Sequence, residues 1–303
     1  MRPFGPGRRL APGYEVIGHL ARSNVLDVYD VWSEARACRC VVKLLRPDRR
    51  GDEGAARSLQ REGWLLQRLT HPHLVRGYET LCEPLPAIVM ETLRGETVAH
   101  LVERRARRLS AVEIGHLGVH LCSAIRYLHG EGIVHLDLKS SNVIAEAGRA
   151  KVIDLSLARP PGHMRPGIGT WCYMPPEQAR GGDVGPAADV WGIAGVLYEC
   201  ATGTAPFGEE GDEDEEFPSL VRPAHRVGRE RRLPAGLAAA IDAGLRADPR
   251  ERPCIGTLGA ACERAARLPA TECRFAAERI RGTSLRGVAD DREHVAAAHR
   301  VAH

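Results

Sequence analysis

Four short segments of this sequence carry side chains of the types that act on phosphate groups. They are centred on Lys43, Glu62, Asp137 and Asp154, in that order along the chain. A phosphoryl group is dense in negative charge, so its transfer depends mainly on positioning and on charge neutralisation. Lysine supplies a compact cation for that purpose, and carboxylate and amide oxygens bind hard metal ions such as Mg²⁺.

Taken one at a time, these residues have ordinary structural explanations. A lone lysine in a strand is usually a solvated cation, and a lone glutamate on a helix is usually a surface charge. Asp137 and Asp154 could each form a turn, and His135 fits a packed core histidine. The ordered set is more specific: the strand Lys43, the helical Glu62, the loop H-L-D-L-K-S-S-N at 135–142 and the segment D-L-S at 154–156 together resemble the signature of the eukaryotic-type (bacterial, Hanks-type) Ser/Thr protein kinases.

The resemblance implies a catalytic role for four residues. Lys43 would contact the α and β phosphates of ATP, the co-substrate, and Glu62 would hold that lysine by an ion pair. Asp137 would accept or orient the proton of the substrate hydroxyl, and Lys139 would reach the γ-phosphate. Lysine usage agrees with this reading, because the chain has only three lysines among 42 Lys plus Arg. Two of the three are Lys43 and Lys139, and we expect the third, Lys151, to be an ordinary strand-edge charge.

The resemblance also implies a metal and nucleotide site. Asn142 and Asp154 would bind Mg²⁺ or Mn²⁺. The backbone of a hinge at residues 90–93 would bind adenine, with Met90 as gatekeeper, and Glu96 would contact the ribose. The implied nucleotide contacts are Gly18, Val25, Val41, Lys43, Met90, Glu91, Leu93, Glu96 and Ile144.

The sequence departs from the family pattern at several points. In the stretch that should carry three glycines only Gly18 remains, and the turn there is expected to be a few residues longer. Without glycines the backbone N–H groups cannot approach phosphates as closely. We therefore expect this loop to bind the phosphates of ATP more weakly. The side chains at 22–24 could substitute, or could form a solvent-facing turn. Val41 replaces a smaller alanine beside adenine, while Leu155 and Ser156 replace Phe and Gly of the D-F-G position.

Downstream segments resemble the parts of the family that hold a peptide. Gly169–Glu177 is similar to the substrate-docking loop, with Pro175 in place of Ala in its closing A-P-E motif. Asp189 begins a buried central helix, and Arg252, in a late arginine motif, would pair with Glu177. Small-molecule kinases of related fold usually lack these parts, so a protein substrate is favoured.

The predicted fold class is α+β, a bilobal protein-kinase-like fold. Short β-type runs with one helix at 58–69 indicate a small N-lobe, and helical patterns at 97–108, 111–130, 188–202, 235–246 and 255–267 indicate a larger C-lobe. We expect a flexible N-terminus at 1–13, a kinase domain at 14–268 (N-lobe 14–92, C-lobe 96–268), and a polar tail at 269–303. That tail contains a candidate phosphosite at 281–284.

Composition narrows the remaining possibilities. A net charge of +3 with interspersed signs gives no argument for nucleic acid. The N-terminus lacks an apolar core, so a signal peptide is not expected, and the apolar segment 188–202 contains two acidic residues and reads as a buried helix instead of a membrane span. Nine cysteines at irregular positions fit reduced thiols, and we expect a cytoplasmic protein.

Two readings of function stay open. The first is an ATP-dependent kinase for Ser/Thr on proteins that does not depend on activation-loop phosphorylation. In many family members an arginine before the catalytic aspartate receives a loop phosphate, but here Leu136 takes that position and the stretch 157–168 contains no Ser, Thr or Tyr. The alternative is a pseudokinase that acts as a nucleotide-binding scaffold or regulatory module. An acidic run at 209–216 either attracts basic substrates or is a solvated loop.

Overall fold

The computed structural model describes residues 2–104, 108–208 and 217–267. Its first lobe is a curled antiparallel sheet with the order β1-β2-β3-β4-β6-β5. Alternating apolar residues bury one face of this sheet in a core of its own, with Tyr29 and Val31 fully buried. The strands are β1 Arg9–Ala11, β2 Tyr14–Arg22, β3 Leu26–Ser33, β4 Cys38–Leu45, β5 Gly77–Leu81 and β6 Ala87–Glu91.

One long helix, α1 (Glu53–Arg68), lies against this sheet. It begins five residues before the predicted start at 58, because the side chain of Asp52 accepts a hydrogen bond from Ala55 N (2.9 Å) and caps the first turn. Its buried stripe includes Leu59, Leu65 and Leu66, and also Glu62. A carboxylate on the apolar face of a helix is costly to bury, so it must have a partner in the core.

The second lobe is mainly helical and is built around α5, of which nearly every residue is buried. The small residues Gly115 and Gly118 let α3 pack closely on α9, since a Cβ at Gly115 would lie 2.5 Å from Ala266 N. The helices are α2 Val98–Arg104, α3 Ala111–Gly130, α4 Pro176–Arg180, α5 Pro186–Thr202, α6 Pro218–Val221, α7 Val227–Glu230, α8 Ala235–Gly244 and α9 Ile255–Ala266.

Two small sheets complete this lobe. A three-stranded sheet of β7 (Glu96–Thr97), β8 (Val143–Glu146) and β9 (Arg149–Val152) lies next to the connection between lobes. A two-stranded antiparallel sheet pairs β10 (Gly162–Met164) with β11 (Gly182–Val184). The predicted α+β bilobal fold is therefore confirmed, with a β-rich lobe followed by a helical one.

The N-terminal residues differ from the loose segment expected at 1–13. Arg9–Ala11 forms β1 and pairs with β2, and the backbone N–H of Phe4 donates to the hydroxyl of Tyr29 (3.0 Å). The expectations for the acidic run at 209–216 and for the tail at 269–303 lie outside the described residues. Within the described ranges, no helix is both long and apolar enough to cross a membrane.

Candidate active site

Lys43 joins two acidic residues in the cleft between the two lobes. From β4 its Nζ donates to Glu62 Oε2 (2.8 Å) and Oε1 (3.0 Å), and to Asp154 Oδ2 (3.1 Å). Glu62 comes from α1, and its Oε1 also accepts from Leu155 N (3.3 Å). Three residues far apart in sequence thus meet at one point. The ion pair of Lys43 with Glu62 was predicted, the contact of Lys43 with Asp154 was not, and Lys43 is the partner that the buried Glu62 requires.

The electrostatics of this group follow from one cation lying between two carboxylates. Burial alone would lower the pKa of Lys43, but the charges of Glu62 and Asp154 raise it above its ordinary value. Burial would raise the pKa of Asp154, but Lys43 and the Ser156 N–H hold it well below its usual range. Burial and the charge of Asp154 raise the pKa of Glu62 to about 7. The group has two carboxylates and one ammonium, so a bound cation would complete its charge balance when both carboxylates are ionised.

The loop 135–142 and the docking loop meet around Asp137. The hydroxyl of Thr170 donates to Asp137 Oδ1 (2.6 Å) and accepts from Lys139 Nζ (2.8 Å). Asn142 Nδ2 donates to the backbone oxygen of Asp137 (2.9 Å) and to its Oδ2 (3.2 Å). The sequence predicted that Thr170 bonds Asp137 or Lys139, and it contacts both.

Asn142 and Asp154 fit the demands of Mg²⁺. Both offer oxygen donors, and the Asn142 side chain is oriented by its hydrogen bonds to Asp137. Among the described residues, no group of three His, Cys, Asp or Glu side chains could hold a metal alone. A site of this kind suits an ion whose remaining ligands are phosphate oxygens and water.

The predicted adenine end of the cleft is apolar. Val41 on β4 pairs with Met90 on β6, and Met90 is only 5% exposed. Val41 and Leu93 are partly buried against the main core, and Ile144 lies on β8 of the three-stranded sheet, paired with Thr97 of β7. These four residues occupy the connection between the lobes and its immediate surroundings.

Two acidic residues of this region have partners that the sequence did not predict. Glu91 accepts hydrogen bonds from Arg76 N (2.9 Å) and from the ammonium of Lys151. Lys151 is therefore not the ordinary strand-edge charge that was expected, but a link between β9 and the hinge. Glu96, predicted to contact ribose, forms an ion pair with Arg104 on α2 (2.5 Å).

The turn is shorter than the sequence led us to expect, while the contact of Gly18 with the nucleotide stays a prediction. Gly18 lies within β2, opposite Asp30, and not at a turn. The turn comprises only 23–25, because β2 continues to Arg22, where it pairs with Asp27. Val25 lies in that turn.

Val28 is a cavity residue that the sequence did not predict. It pairs with Lys43, and with Val25 it lines the cavity above that lysine. The available signal was alternation along β3, which places Val28 on the face opposite to the buried Tyr29.

Two buried charged side chains, Arg252 and Asp189, fix the docking segment and the loop 135–142 to the helical lobe. Arg252 donates to Glu177 through both terminal nitrogens (2.6 and 2.7 Å), as predicted. Asp189 accepts from the backbone N–H of His135 and of Leu136, each at 2.9 Å. Because Arg252 also donates to Ala187 O at the start of α5 (3.0 Å) and Asp189 lies on α5, the loop that carries Asp137 and the end of the docking segment are both held on this central helix.

Comparison with known proteins agrees with this geometry. The sequence model of the protein kinase domain family matches residues 14–260 of this chain. The chain is 32% identical over 213 residues to the probable serine/threonine-protein kinase SCO3848 of Streptomyces coelicolor, covering 66% of this chain and 32% of the relative. It is 34% identical over 220 residues to the serine/threonine-protein kinase PknB of Mycobacterium tuberculosis, covering 67% of this chain and 34% of the relative.

Structural comparison gives the same fold. The PknI kinase domain of Mycobacterium tuberculosis superposes with a TM-score of 0.69 at 23% identity, over 87% of this chain and all of that one. The chain spans only about a third of the length of the two curated relatives named above, 32% and 34%. The family match nevertheless extends over most of the sequence and over both lobes, and the chain therefore belongs to the protein kinase family.

Proposed function

We propose that this chain transfers the γ-phosphate of ATP, with Mg²⁺, to Ser or Thr hydroxyls of protein substrates. The observation that carries the proposal is the contact of Lys43 with both Glu62 and Asp154. Protein kinases require the Lys–Glu pair and the metal-binding aspartate to be in place together. As this reaction uses ATP and the described thiols are all free, we place the protein in the cytoplasm.

Each polar residue then has one task. Asp137 accepts the proton as the substrate oxygen bonds to the γ-phosphorus and the bond from phosphorus to the ADP oxygen breaks. Lys139 and Lys43 neutralise phosphate charge, and Asn142 and Asp154 would hold Mg²⁺, which supplies further neutralisation. The Thr170 hydroxyl, between Asp137 and Lys139, indicates that a hydroxyl fits between this base and this cation.

The proposal includes independence from activation-loop phosphorylation. Leu136 is 5% exposed and packs in an apolar cluster with Met164 and Val184, so this position offers no cation to a phosphate. Met164 belongs to β10 and Val184 to β11, so main-chain hydrogen bonds between these strands add to the same contact. Apolar packing and strand pairing support an ordered loop without a phosphate.

One observation favours the alternative, a pseudokinase. Two N–H groups of the turn at 23–25 are engaged locally: Ser23 N donates to Leu26 O (2.8 Å) and Val25 N donates to Ser23 Oγ (3.4 Å), which also accepts from Leu26 N (3.0 Å). Amide groups that are already bonded bind phosphate poorly. We therefore expect ATP to bind more weakly than is usual in the family.

The experiment is transfer of radiolabelled γ-phosphate to a generic protein substrate by wild type and by Asp137→Ala. Turnover by wild type that is lost in Asp137→Ala supports the kinase. Saturable nucleotide binding without turnover in either protein supports the pseudokinase. A second measurement follows the initial rate after phosphatase treatment. A large loss of rate, restored as phosphate returns to residues 156–173, would refute phosphorylation independence.

A further inference from the structure

The β2–β3 turn, which contains no glycine, borders the cavity that contains Lys43. A cavity of about 460 Å³ lies beneath it, lined by Arg22, Val25 and Val28 from the hairpin and by Lys43, Glu62 and Asp154 from below. The position of the turn therefore sets the height and shape of the space in which the phosphates must fit.

Asp27 makes an unusual set of contacts directly beside this turn. Its side chain is fully buried, and it accepts from Arg22 Nε (2.7 Å), Arg22 Nη2 (2.9 Å) and the hydroxyl of Tyr29 (3.4 Å). His19 Nε2 lies 3.0 Å from the same carboxylate. Burial would raise the pKa of Asp27, but the bonds from Arg22 and His19 hold it below its ordinary value. Burying a carboxylate is costly, and here the geometry of its partners compensates for that cost.

These contacts connect the turn to the N-terminal segment. Arg22 is the last residue of β2. Its bidentate ion pair with Asp27 therefore connects β2 and β3 where they enter the turn. The Tyr29 hydroxyl that donates to Asp27 accepts from Phe4 N (3.0 Å), and the rings of Phe4 and Tyr29 lie 6.0 Å apart. The turn is thereby linked through Asp27 and Tyr29 to a segment expected from sequence to be loose.

A second support holds the turn from the other strand. Arg46, just after β4, donates from its backbone to Val25 O (2.9 Å) and from its side chain to Ser23 O (3.1 Å) and Asn24 O (3.3 Å). The backbone oxygens of all three residues of the turn thus accept hydrogen bonds from Arg46, which lies outside the hairpin. A turn held in this way keeps one conformation, whereas glycines would leave it many.

We propose that Asp27 is a positioning residue of the nucleotide site, which acts through Arg22 and Tyr29 to hold the β2–β3 turn over the phosphates of ATP. This inference rests on the proposed function, because it assigns the cavity above Lys43 to a nucleotide. In this chain a fixed turn would take the place of the family's mobile glycine-rich loop. The N-terminal segment would contribute to nucleotide affinity through its contact with Tyr29.

The first test is Asp27→Asn, which keeps the size of the side chain and removes its charge. We expect KM for ATP to rise about tenfold, the effect of weakening one charge-assisted contact, with kcat and the KM for the protein substrate changed less than about twofold. A merely structural role would instead lower the active fraction, and so reduce kcat while leaving both KM values unchanged.

A matched pair of tyrosine variants keeps the test valid if Asp27→Asn does not fold. Tyr29→Phe removes the hydroxyl between Phe4 and Asp27, and we expect KM for ATP to rise about two- to threefold, as for a weak hydrogen bond. Tyr14→Phe removes a hydroxyl from the same core at the far end of β2, where it bonds Glu79, and should leave KM for ATP unchanged. Equal effects of the two variants would overturn the proposal, as would an unchanged KM in a folded Asp27→Asn.

Binding of a fluorescent ADP analogue separates this inference from the proposed function. If wild type binds the analogue without turnover, the kinase proposal fails, and the dissociation constants of Asp27→Asn and Tyr29→Phe still test the positioning role. If binding to both variants equals that to wild type, the positioning role is wrong although the kinase proposal stands.

Discussion

Lys151 on β9 contacts the carboxylate of Glu91 at the hinge, and the same carboxylate accepts a hydrogen bond from the backbone of Arg76 (2.9 Å). Arg76 precedes β5 of the small lobe and Lys151 belongs to the large one, so Glu91 connects both lobes to the segment between them. Each side chain of the Lys151–Glu91 pair is about one-fifth exposed, at 20% and 21%. All three lysines of the chain therefore lie at the cleft or its hinge.

Removing this link should loosen the hinge. We expect Lys151→Met to reduce the free energy of unfolding by about 0.5–1 kcal/mol, the range for a partly exposed ion pair, and to raise KM for ATP about twofold. Urea unfolding and initial-rate kinetics measure the two effects. Lys151→Arg keeps the charge and serves as the control. If Lys151→Met had no effect on either quantity, the pair would be an unimportant surface contact.

Lys43→Met tests the central ionic group. Its loss leaves Glu62 and Asp154 without the cation that lies between them, and removes the ammonium proposed to contact the phosphates. We expect kcat to fall at least about 100-fold, as when a preorganised charge is removed from an active site. The matched control is Lys151→Met, the same substitution at another lysine of the cleft region. Circular dichroism should show a folded protein in both, and retention of full phosphorylation by Lys43→Met would refute the site assignment.

The positions of the polar site residues could be predicted from sequence because their chemistry fixes their order. Lys43, Glu62 and Asp154 meet in space as the motif requires, and Arg252 pairs with Glu177. Such contacts involve charged groups at buried positions, where few other residue types could serve. The bilobal architecture followed from the change of hydrophobic period along the chain.

The turn and the N-terminal segment could not be predicted in the same way. The length of β2 depends on the cross-strand pair of Arg22 and Asp27, and two residues on different strands give no local pattern. Phe4 is ordered by the hydroxyl of Tyr29, a contact between residues 25 apart in sequence. Lys151 likewise looked like an ordinary strand charge because its partner, Glu91, is distant in sequence. Each failure reflects a tertiary contact that outweighs local propensity.

Leu136→Arg should harm the protein instead of restoring a phosphate receptor. The side chain of Leu136 is buried with Met164 and Val184, and no phosphate-accepting hydroxyl occurs between 157 and 168. An arginine there would bury an unpaired charge, so we expect a loss of about 3 kcal/mol in unfolding free energy and lower kcat. Leu136→Met, which conserves volume, is the control and should cost less than about 1.5 kcal/mol. Higher activity of Leu136→Arg after phosphorylation would contradict the proposed regulation.

Acid should destabilise the fold through His120 on α3. Burial and the neighbouring His73 lower the pKa of His120 to about 4, from an ordinary 6.5. The contribution of His120 to the free energy of unfolding is therefore fully present above pH 6.5, where neither the folded nor the unfolded protein binds a proton at this histidine. It decreases as pH falls from 6.5 to 4, because the unfolded chain takes up a proton that the folded protein does not. His73 contacts His120 with ring centroids 4.1 Å apart, and burial lowers its pKa as well.

The measurement is urea unfolding at pH 7 and pH 5. His120→Asn keeps an acceptor for the Ala150 N–H, which donates to His120 Nδ1 at 3.3 Å, and it should reduce the stability difference between the two pH values. His163→Asn changes a histidine whose side chain is 80% exposed, and should leave that difference unchanged. An identical pH dependence in wild type and His120→Asn would show that His120 does not contribute.

Arg252 should tolerate no substitution, including lysine. Its side chain is fully buried, and all five N–H donors of the guanidinium have acceptors. Two go to Glu177, and the other three go to the backbone oxygens of Arg246 (2.8 Å), Ala187 (3.0 Å) and Ala247 (3.2 Å). One side chain thereby joins the end of the docking segment, the start of α5 and the loop after α8.

Lysine has three donors on a single nitrogen and cannot reach acceptors arranged around a planar fork. We therefore expect Arg252→Lys to cost about 3 kcal/mol of unfolding free energy, close to the cost of breaking a buried pair from one side, and Arg252→Ala at least as much. Arg250→Lys, two residues earlier and exposed, is the matched control and should change stability by less than about 0.5 kcal/mol. Because the docking segment contains Thr170, which contacts Asp137, Arg252→Lys should also raise KM for the protein substrate more than KM for ATP. Equal stability of Arg252→Lys and wild type in urea would mean that the charge of Arg252, and not its five-donor geometry, holds the segment in place.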